Sequence, residues 1–243
     1  MGDGAGVSLL VPFREDASGT RTAPFEWLRA YYRAHLPAAE IVVGECAGDP
    51  YSKSIAVNDA ARRSAGDIFA ILDADTWLSP RVIERCAAAI RTSGAGLWFL
   101  PHRASYELCR EDTACDPAQY DSFGVPTRYE RRVDRGPGQA LIISADGFST
   151  VGGFDPRFRG WGGEDRAFVR AADTLYAEHR RTRDWILSLW HERPGGHSKS
   201  DRHWHDGMPY GDNRASHKLV KRYKRAIGNV PQMRALVDEG LTR

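Results

Sequence analysis

The stretch "DIFAILDADT", residues 67–76, decides how the chain folds. Its apolar run from Ile68 to Leu72 has no polar face, so it reads as a strand buried on both sides. The run ends on two acids, Asp73 and Asp75. Ligands of an open α/β sheet bind beyond the carboxyl ends of its strands, which is where these acids fall. Side chains two apart on a strand share a face, so both carboxylates would reach one ligand. Paired hard oxygens suit Mg²⁺ or Mn²⁺ carrying a diphosphate. A solvated strand-end turn capped by Asp73 fits the same letters.

Upstream, "VSLLVPF" (7–13) and "EIVVGE" (40–45) read as two more strands, each followed by a helical pattern, over 24–35 and 54–66. The second helix is expected to end at Gly66. Downstream, "SPRVIERCAAAIRTSG" (79–94) starts with Ser79 as N-cap and Pro80 in the first turn, and "GLWFLPH" (96–102) is a fourth strand. Strands alternating with helices predict an α/β fold with a mostly parallel central sheet flanked by helices. Residues 103–138 are polar and rich in Pro and Gly and read as a long loop. "GQALIIS" (138–144) and "DWILSLWH" (184–191) return as strands, with a short helix near 145–151 and another opening at "WGGED" (161–165). A basic helix and a short final helix close the chain. The expected division is a domain over 1–211, with a nucleotide-binding half at 1–102 and an acceptor half at 103–211, then a C-terminal helical extension over 212–243. Residues 192–211, rich in Gly, His and Pro, read as a lid.

The chain has 243 residues, 42% of them hydrophobic, enough for one large core. Its net charge of +2 leaves no bulk field aimed at nucleic acid. The run "HKLVKRYKRAIG" (217–228) fits either a solvated helix face or a peripheral contact with an anionic membrane. No signal peptide or transmembrane segment is seen, so the expectation is a cytoplasmic protein. The four cysteines, Cys46, Cys86, Cys109 and Cys115, form no CxxC pair. Cys86 reads as a buried apolar residue, and Cys109 and Cys115 would bridge only in an oxidising compartment.

Other residues gather at the same sheet edge. Phe13 and Arg14 end the first strand, where an arginine suits a base or a phosphate and Phe13 suits either a ligand or the core. Tyr51 and Lys53 follow the second strand and would meet a base and a phosphate, or else belong to an ordinary loop and helix cap. His191 ends its strand and offers a nitrogen that would complete a site begun by Asp75. His197, His203 and His205 read as loop surface. In "FRGWGGED" (158–165), the helix start tolerates acids, yet it does not call for Trp161, Gly162 and Gly163 against Glu164 and Asp165.

Together "VPFR" (11–14), "AGD" (47–49), Asn58, "DAD" (73–75), "GQALIISADGFSTVGGFDPRFRGWGGED" (138–165) and His191 resemble one known pattern. It is that of the GT-A fold inverting glycosyltransferases, most closely the β-1,4-galactosyltransferase family and more loosely the polypeptide N-acetylgalactosaminyltransferase catalytic domains. The resemblance implies a Rossmann-like nucleotide-diphospho-sugar transferase fold and a metal-dependent transfer from a UDP-sugar to an acceptor hydroxyl. Galactose or an N-acetylhexosamine is the sugar it implies. By the same resemblance Phe13 and Arg14 contact the base, Asn58 belongs to the donor site, and Asp73 binds ribose or donor sugar. Asp75 and His191 hold Mn²⁺ (or Mg²⁺). Trp161, with Gly162 and Gly163, covers the donor, Glu164 binds the acceptor and Asp165 is the general base. Ser188 stands where the family often has a methionine, and Gly136 near where it often has a bulky aromatic. Acceptor identity, whether a glycan, a lipid-linked sugar or a protein, is not written in the sequence.

Two other functions fit an α/β sheet with metal-binding acids. A sugar-1-phosphate nucleotidyltransferase would open with a glycine-rich loop after the first strand, and "VPFRED" is not one. A non-catalytic carbohydrate-binding protein would have lost some of Asp73, Asp75, Asp165 and His191, and all are present.

Overall fold

In the computed structural model the described residues are 6–15, 19–93, 96–111, 129–134, 136–160, 162–192 and 214–242. The first half alternates as its sequence pattern demands. Strand β1 (Val7–Pro12) leads to helix α1 (Thr22–His35), β2 (Glu40–Gly44), α2 (Lys53–Arg63), β3 (Ile68–Leu72), β4 (Thr76–Trp77) and α3 (Pro80–Thr92). Then follow β5 (Phe99–Leu100), β6 (Ala104–Glu107), β7 (Arg131–Asp134), β8 (Ala140–Ser144), α4 (Ala145–Val151) and α5 (Glu164–Leu175). The chain ends with β9 (Arg180–Arg181), β10 (Trp185–Ser188), α6 (Arg214–Arg225) and α7 (Val230–Leu241).

Six strands form the main sheet in the order β2-β1-β3-β8-β5-β9. It is parallel where β1 meets β2 and β3 and where β5 meets β9, while β8 runs antiparallel to both its neighbours. A second sheet, β4-β10-β6-β7, packs beside it. β3 is buried along its whole length, as its continuous apolar run requires. Its residues alternate between two cores: Ile68, Ala70 and Leu72 face one with α1, α3 and the second sheet, and Phe69 and Ile71 face the other with α2 and α4 to α7. The fold is thus layered α/β with helices on both faces.

Several boundaries differ from expectation. The region 103–138 is not wholly loop: β6 lies in it and pairs antiparallel with β7. Residues 96–102 supply only the two-residue strand β5, because the chain leaves the sheet at Pro101. α2 stops at Arg63. Gly66 instead lets the chain pass close to β1, where a Cβ would sit 2.4 Å from Ser8 Oγ. Cys46 and Cys86 are free thiols, with Cys86 buried as expected, and Cys115 lies outside the described residues. Among the described residues no helix is long and apolar enough to cross a membrane.

Candidate active site

The parity of β3 aims its exit. Asp73 continues the phase of Phe69 and Ile71, and so turns toward the side covered by α2 and α5. The Asp73 N–H donates to the carbonyl of Gln139, 2.9 Å away, at the mouth of β8. Lys53 opens α2 behind the N-cap Ser52, whose hydroxyl accepts from Ile55 N–H. That same hydroxyl donates to the Phe158 carbonyl at 2.7 Å, and Gly160 N–H donates to the Tyr51 carbonyl at 2.8 Å. The start of α2 is thereby stitched to the segment leading into α5. Gly163, the residue before α5, holds φ +102°, and a Cβ there would meet Val220 of α6 at 2.5 Å. Only glycine allows this approach.

These links bring Lys53, Asp73, Glu164 and Asp165 together. Lys53 Nζ lies 2.5 Å from Asp73 Oδ1, and 2.9 and 3.1 Å from the two Asp165 oxygens. Lys53 was expected to meet phosphate; here it bridges two carboxylates from distant parts of the chain. Burial pushes the Glu164 carboxyl up to about 7, helped by the charge of Asp165 and opposed by Lys53. Burial likewise lifts Asp73 to about 6, with Lys53 opposing and Asp165 and Asp75 adding. Burial would lower Lys53, but Asp165, Asp73 and Glu164 outweigh it and hold the ammonium well above its ordinary value. Glu164 Oε2 is buried with no hydrogen-bond partner among the described residues.

Asp75 belongs to a second pair. β3 ends at Leu72, and Asp73 to Asp75 form a turn in which Thr76 N–H bonds the Asp73 carbonyl. The two-residue strand spacing therefore does not hold, and the two acids part company. Asp75 Oδ2 lies 3.4 Å from His191 Nε2, while His191 Nδ1 sits 2.9 Å from the Glu192 carbonyl. The pairing is framed by Leu189 N–H on the Asp75 carbonyl at 2.8 Å and by Glu192 N–H on the Thr20 hydroxyl at 2.8 Å. Burial would lower the His191 imidazole, but its hydrogen bond to Asp75 and that residue's charge raise it overall.

A third group lies at the end of β1. Arg14 donates to the Gly48 carbonyl at 2.8 Å, pairs with Asp49 at 3.2 Å, and lies 5.0 Å from the Tyr51 ring centroid. Phe13 stacks on Phe25 at 4.1 Å, half-buried at the same edge. Asn58 stands apart from all three groups. Its amide donates to the Phe154 carbonyl at 2.7 Å and accepts from Phe154 N–H at 2.9 Å, which makes it a brace for the loop after α4. Gly162 and Gly163 are both left-handed at the entry to α5. Trp161, most of the expected lid (193–211), and His197, His203 and His205 lie outside the described residues. Two neighbours escaped the sequence reading. Gly138 abuts Asp165, where a Cβ would lie 2.4 Å from Oδ2, and Gln139 carries a left-handed backbone. The glycine-rich "GPGQ" ahead of β8 was the only signal for them.

Residues 50–142, which span Lys53, Asp73 and Asp75, match the model of Glycosyl transferase family 2. Residues 120–181, which carry Glu164 and Asp165, match the model described as the N-terminal domain of galactosyltransferase. The chain is a glycosyltransferase. Among solved structures, this glycosyltransferase is similar to the catalytic domain of Drosophila β1,4-galactosyltransferase 7 in complex with xylobiose, at 17% identity and a TM-score of 0.47, covering 78% of this chain and 72% of that one. A mutant of the Drosophila enzyme with manganese, UDP-Gal and xylobiose is similar at 15% identity and a TM-score of 0.45, covering 82% and 78%. No curated protein matches.

Proposed function

We propose that this glycosyltransferase moves a sugar, galactose or an N-acetylhexosamine, from a UDP-sugar to an acceptor hydroxyl with inversion at C1. The observation that carries the reading is the meeting of Asp73 and Asp165 on one buried ammonium, with Glu164 beside them. On this reading a donor-side carboxylate stands next to a base and an acceptor-side carboxylate. Asp165 takes the proton of the acceptor hydroxyl, whose oxygen forms a bond to C1 as the bond from C1 to the diphosphate breaks. The electron pair leaves with UDP. Attack opposite the leaving group inverts the anomeric carbon. Lys53 orients Asp73 and Asp165, Glu164 hydrogen-bonds the acceptor, and Phe13, Arg14 and Tyr51 receive the nucleotide. The acceptor is a glycan, a lipid-linked sugar or a protein.

A divalent cation fits the remaining pair. His191 Nδ1 is engaged by a backbone carbonyl, the arrangement that presents Nε2 to a metal, and Asp75 adds a carboxylate oxygen. Asp75 and His191 would hold Mn²⁺ or Mg²⁺, which would balance the charge of the departing diphosphate. Oxygens of the diphosphate and of water would fill further positions.

The test is incubation of the pure protein with individual UDP-sugars, an acceptor array and Mn²⁺, scoring UDP release and the anomeric configuration of the product by NMR. Turnover with inversion, lost in EDTA and in Asp75→Ala, is expected. Full activity in excess EDTA, or a retained configuration, overturns the mechanism.

A further inference from the structure

Gln139 has φ +74°, the single left-handed residue other than glycine among the described residues. A side chain in that region costs stability, and such outliers persist where the surroundings hold them. The surroundings here are the active site. The Gln139 carbonyl accepts from Asp73 N–H at 2.9 Å. Its side-chain Nε2 donates to Ser188 Oγ at 2.5 Å. The preceding residue, Gly138, lies against the Asp165 carboxylate. Ser188 ends β10 and is fully buried, the next residue bonds the Asp75 carbonyl through Leu189 N–H, and His191 follows. One residue therefore joins the mouth of the main sheet, where Asp73 and Asp165 meet, to the strand of the second sheet that carries the Asp75–His191 pair.

We infer that Gln139 is a positioning residue that fixes the carboxylates Asp73 and Asp165 relative to Asp75 and His191. Resting on the transfer reading above, the inference assigns Gln139 no contact with substrate. It acts through its backbone carbonyl on Asp73 and through Ser188 on the second sheet. The left-handed backbone is what allows both contacts at once. In that conformation the carbonyl points at Asp73 while the side chain crosses to Ser188.

Gln139→Gly separates this role from a merely structural one. Glycine accepts the left-handed backbone without strain but deletes the amide, so the lost bond and the relieved strain oppose each other. Expected is a fall in kcat of about 10- to 100-fold, as for a small misplacement of reacting groups. Donor KM should stay within about threefold. Tm should stay within about 3 °C, since the two changes oppose each other. Ser188→Ala should lower kcat in the same way. The double variant should fall no further than the weaker single variant, because both changes break one link. Parental kcat in Gln139→Gly overturns the inference, as does a kcat loss that appears only with a matching collapse in Tm. Independent effects in the double variant overturn it too. A crystal structure of Gln139→Gly decides without any turnover: Asp73 and Asp165 in unchanged places relative to His191 refute the positioning role. A parent protein that releases UDP from no UDP-sugar instead refutes the transfer reading and leaves that crystallographic comparison standing.

Discussion

Two charged clusters lie on the same face of the main sheet and differ in their accounts. Around Arg157, every group is answered. Its guanidinium meets Asp155 at 2.7 and 3.0 Å, the Leu236 carbonyl at 2.6 Å and Glu239 at 2.9 Å. The Tyr223 hydroxyl donates to Asp155 at 2.9 Å, and Arg222 covers the other oxygen of Glu239 at 2.7 Å. Two acids face two guanidiniums, and the network ties the loop after α4 to α6 and α7. Around Lys53, three acids, Asp73, Glu164 and Asp165, share one ammonium, and Glu164 Oε2 is left without a partner. Buried polar groups are ordinarily satisfied, and under the proposed transfer the acceptor is what answers Glu164. On the proposed reading the balanced cluster is a joint and the unbalanced one is the site.

The contrast is broken most sharply at Asp165. Asp165→Asn keeps the shape and removes the proton acceptor. Loss of a general base lowers kcat by about 10² to 10⁴. Donor affinity should barely move, and Tm should stay within a few degrees because Lys53 keeps Asp73. UDP release at saturating donor and acceptor, with thermal unfolding alongside, measures both. Turnover at the parental rate removes Asp165 from the chemistry and with it the distinction between the clusters.

The opposite pattern is expected at the joint. Arg157→Met leaves the Asp155 carboxylate, whose side chain is 5% exposed, with only the Tyr223 hydroxyl and a backbone N–H. Removing one partner of a buried pair costs about 3–5 kcal/mol. For a chain of this size that lowers Tm by about 6–20 °C. The kcat of the molecules that remain folded should equal the parent's. A variant with parental Tm and reduced kcat would show that the Arg157 network serves the reaction.

Some of this was written plainly in the sequence. A five-residue apolar run ending in Asp73 and Asp75 announced the central strand, because burial on two faces leaves no room for polar letters, and the edge where the carboxylates gather. "WGGED" announced the α5 entry because acids and left-handed glycines at a helix start leave a local trace. The partnership of Lys53 with Asp165 was hidden, since 112 positions separate the two and nothing local requires it. The antiparallel run of β8 was hidden as well, because a buried strand reads alike in either direction. β7, "RRVD", is half-exposed and charged, and so it resembled the loop around it. Apart from the glycines before it, Gln139 gave no sign, because glutamine does not advertise a left-handed backbone.

The smallest expected effect tests the imbalance itself through pH. Glu164 titrates near 7 in the folded protein against an ordinary 4.5, chiefly because it is buried and next because Asp165 is beside it. The folded state therefore holds a proton that the unfolded chain releases between those values. This raised carboxyl leaves stability intact below pH 4.5 and withdraws it as pH rises through about 7. Asp73, lifted from 3.8 to about 6, acts in the same direction over a lower window. At about 1.4 kcal/mol per pKa unit, ionising Glu164 costs the fold up to about 3 kcal/mol at pH 8. Glutamine fills the same space and has no charge to bury. Glu164→Gln should thus match the parent in urea unfolding near pH 4.5, and exceed it by up to about 3 kcal/mol at pH 8. Its acceptor KM should rise meanwhile, because the carboxyl proposed to bind the acceptor is gone. A gain in stability bought with a loss of binding is what an unbalanced site predicts and a balanced joint does not. If the variant and the parent differ by the same amount at pH 4.5 and pH 8, Glu164 does not titrate in this window. The imbalance of the Lys53 cluster would then have to be sought in Asp73 alone.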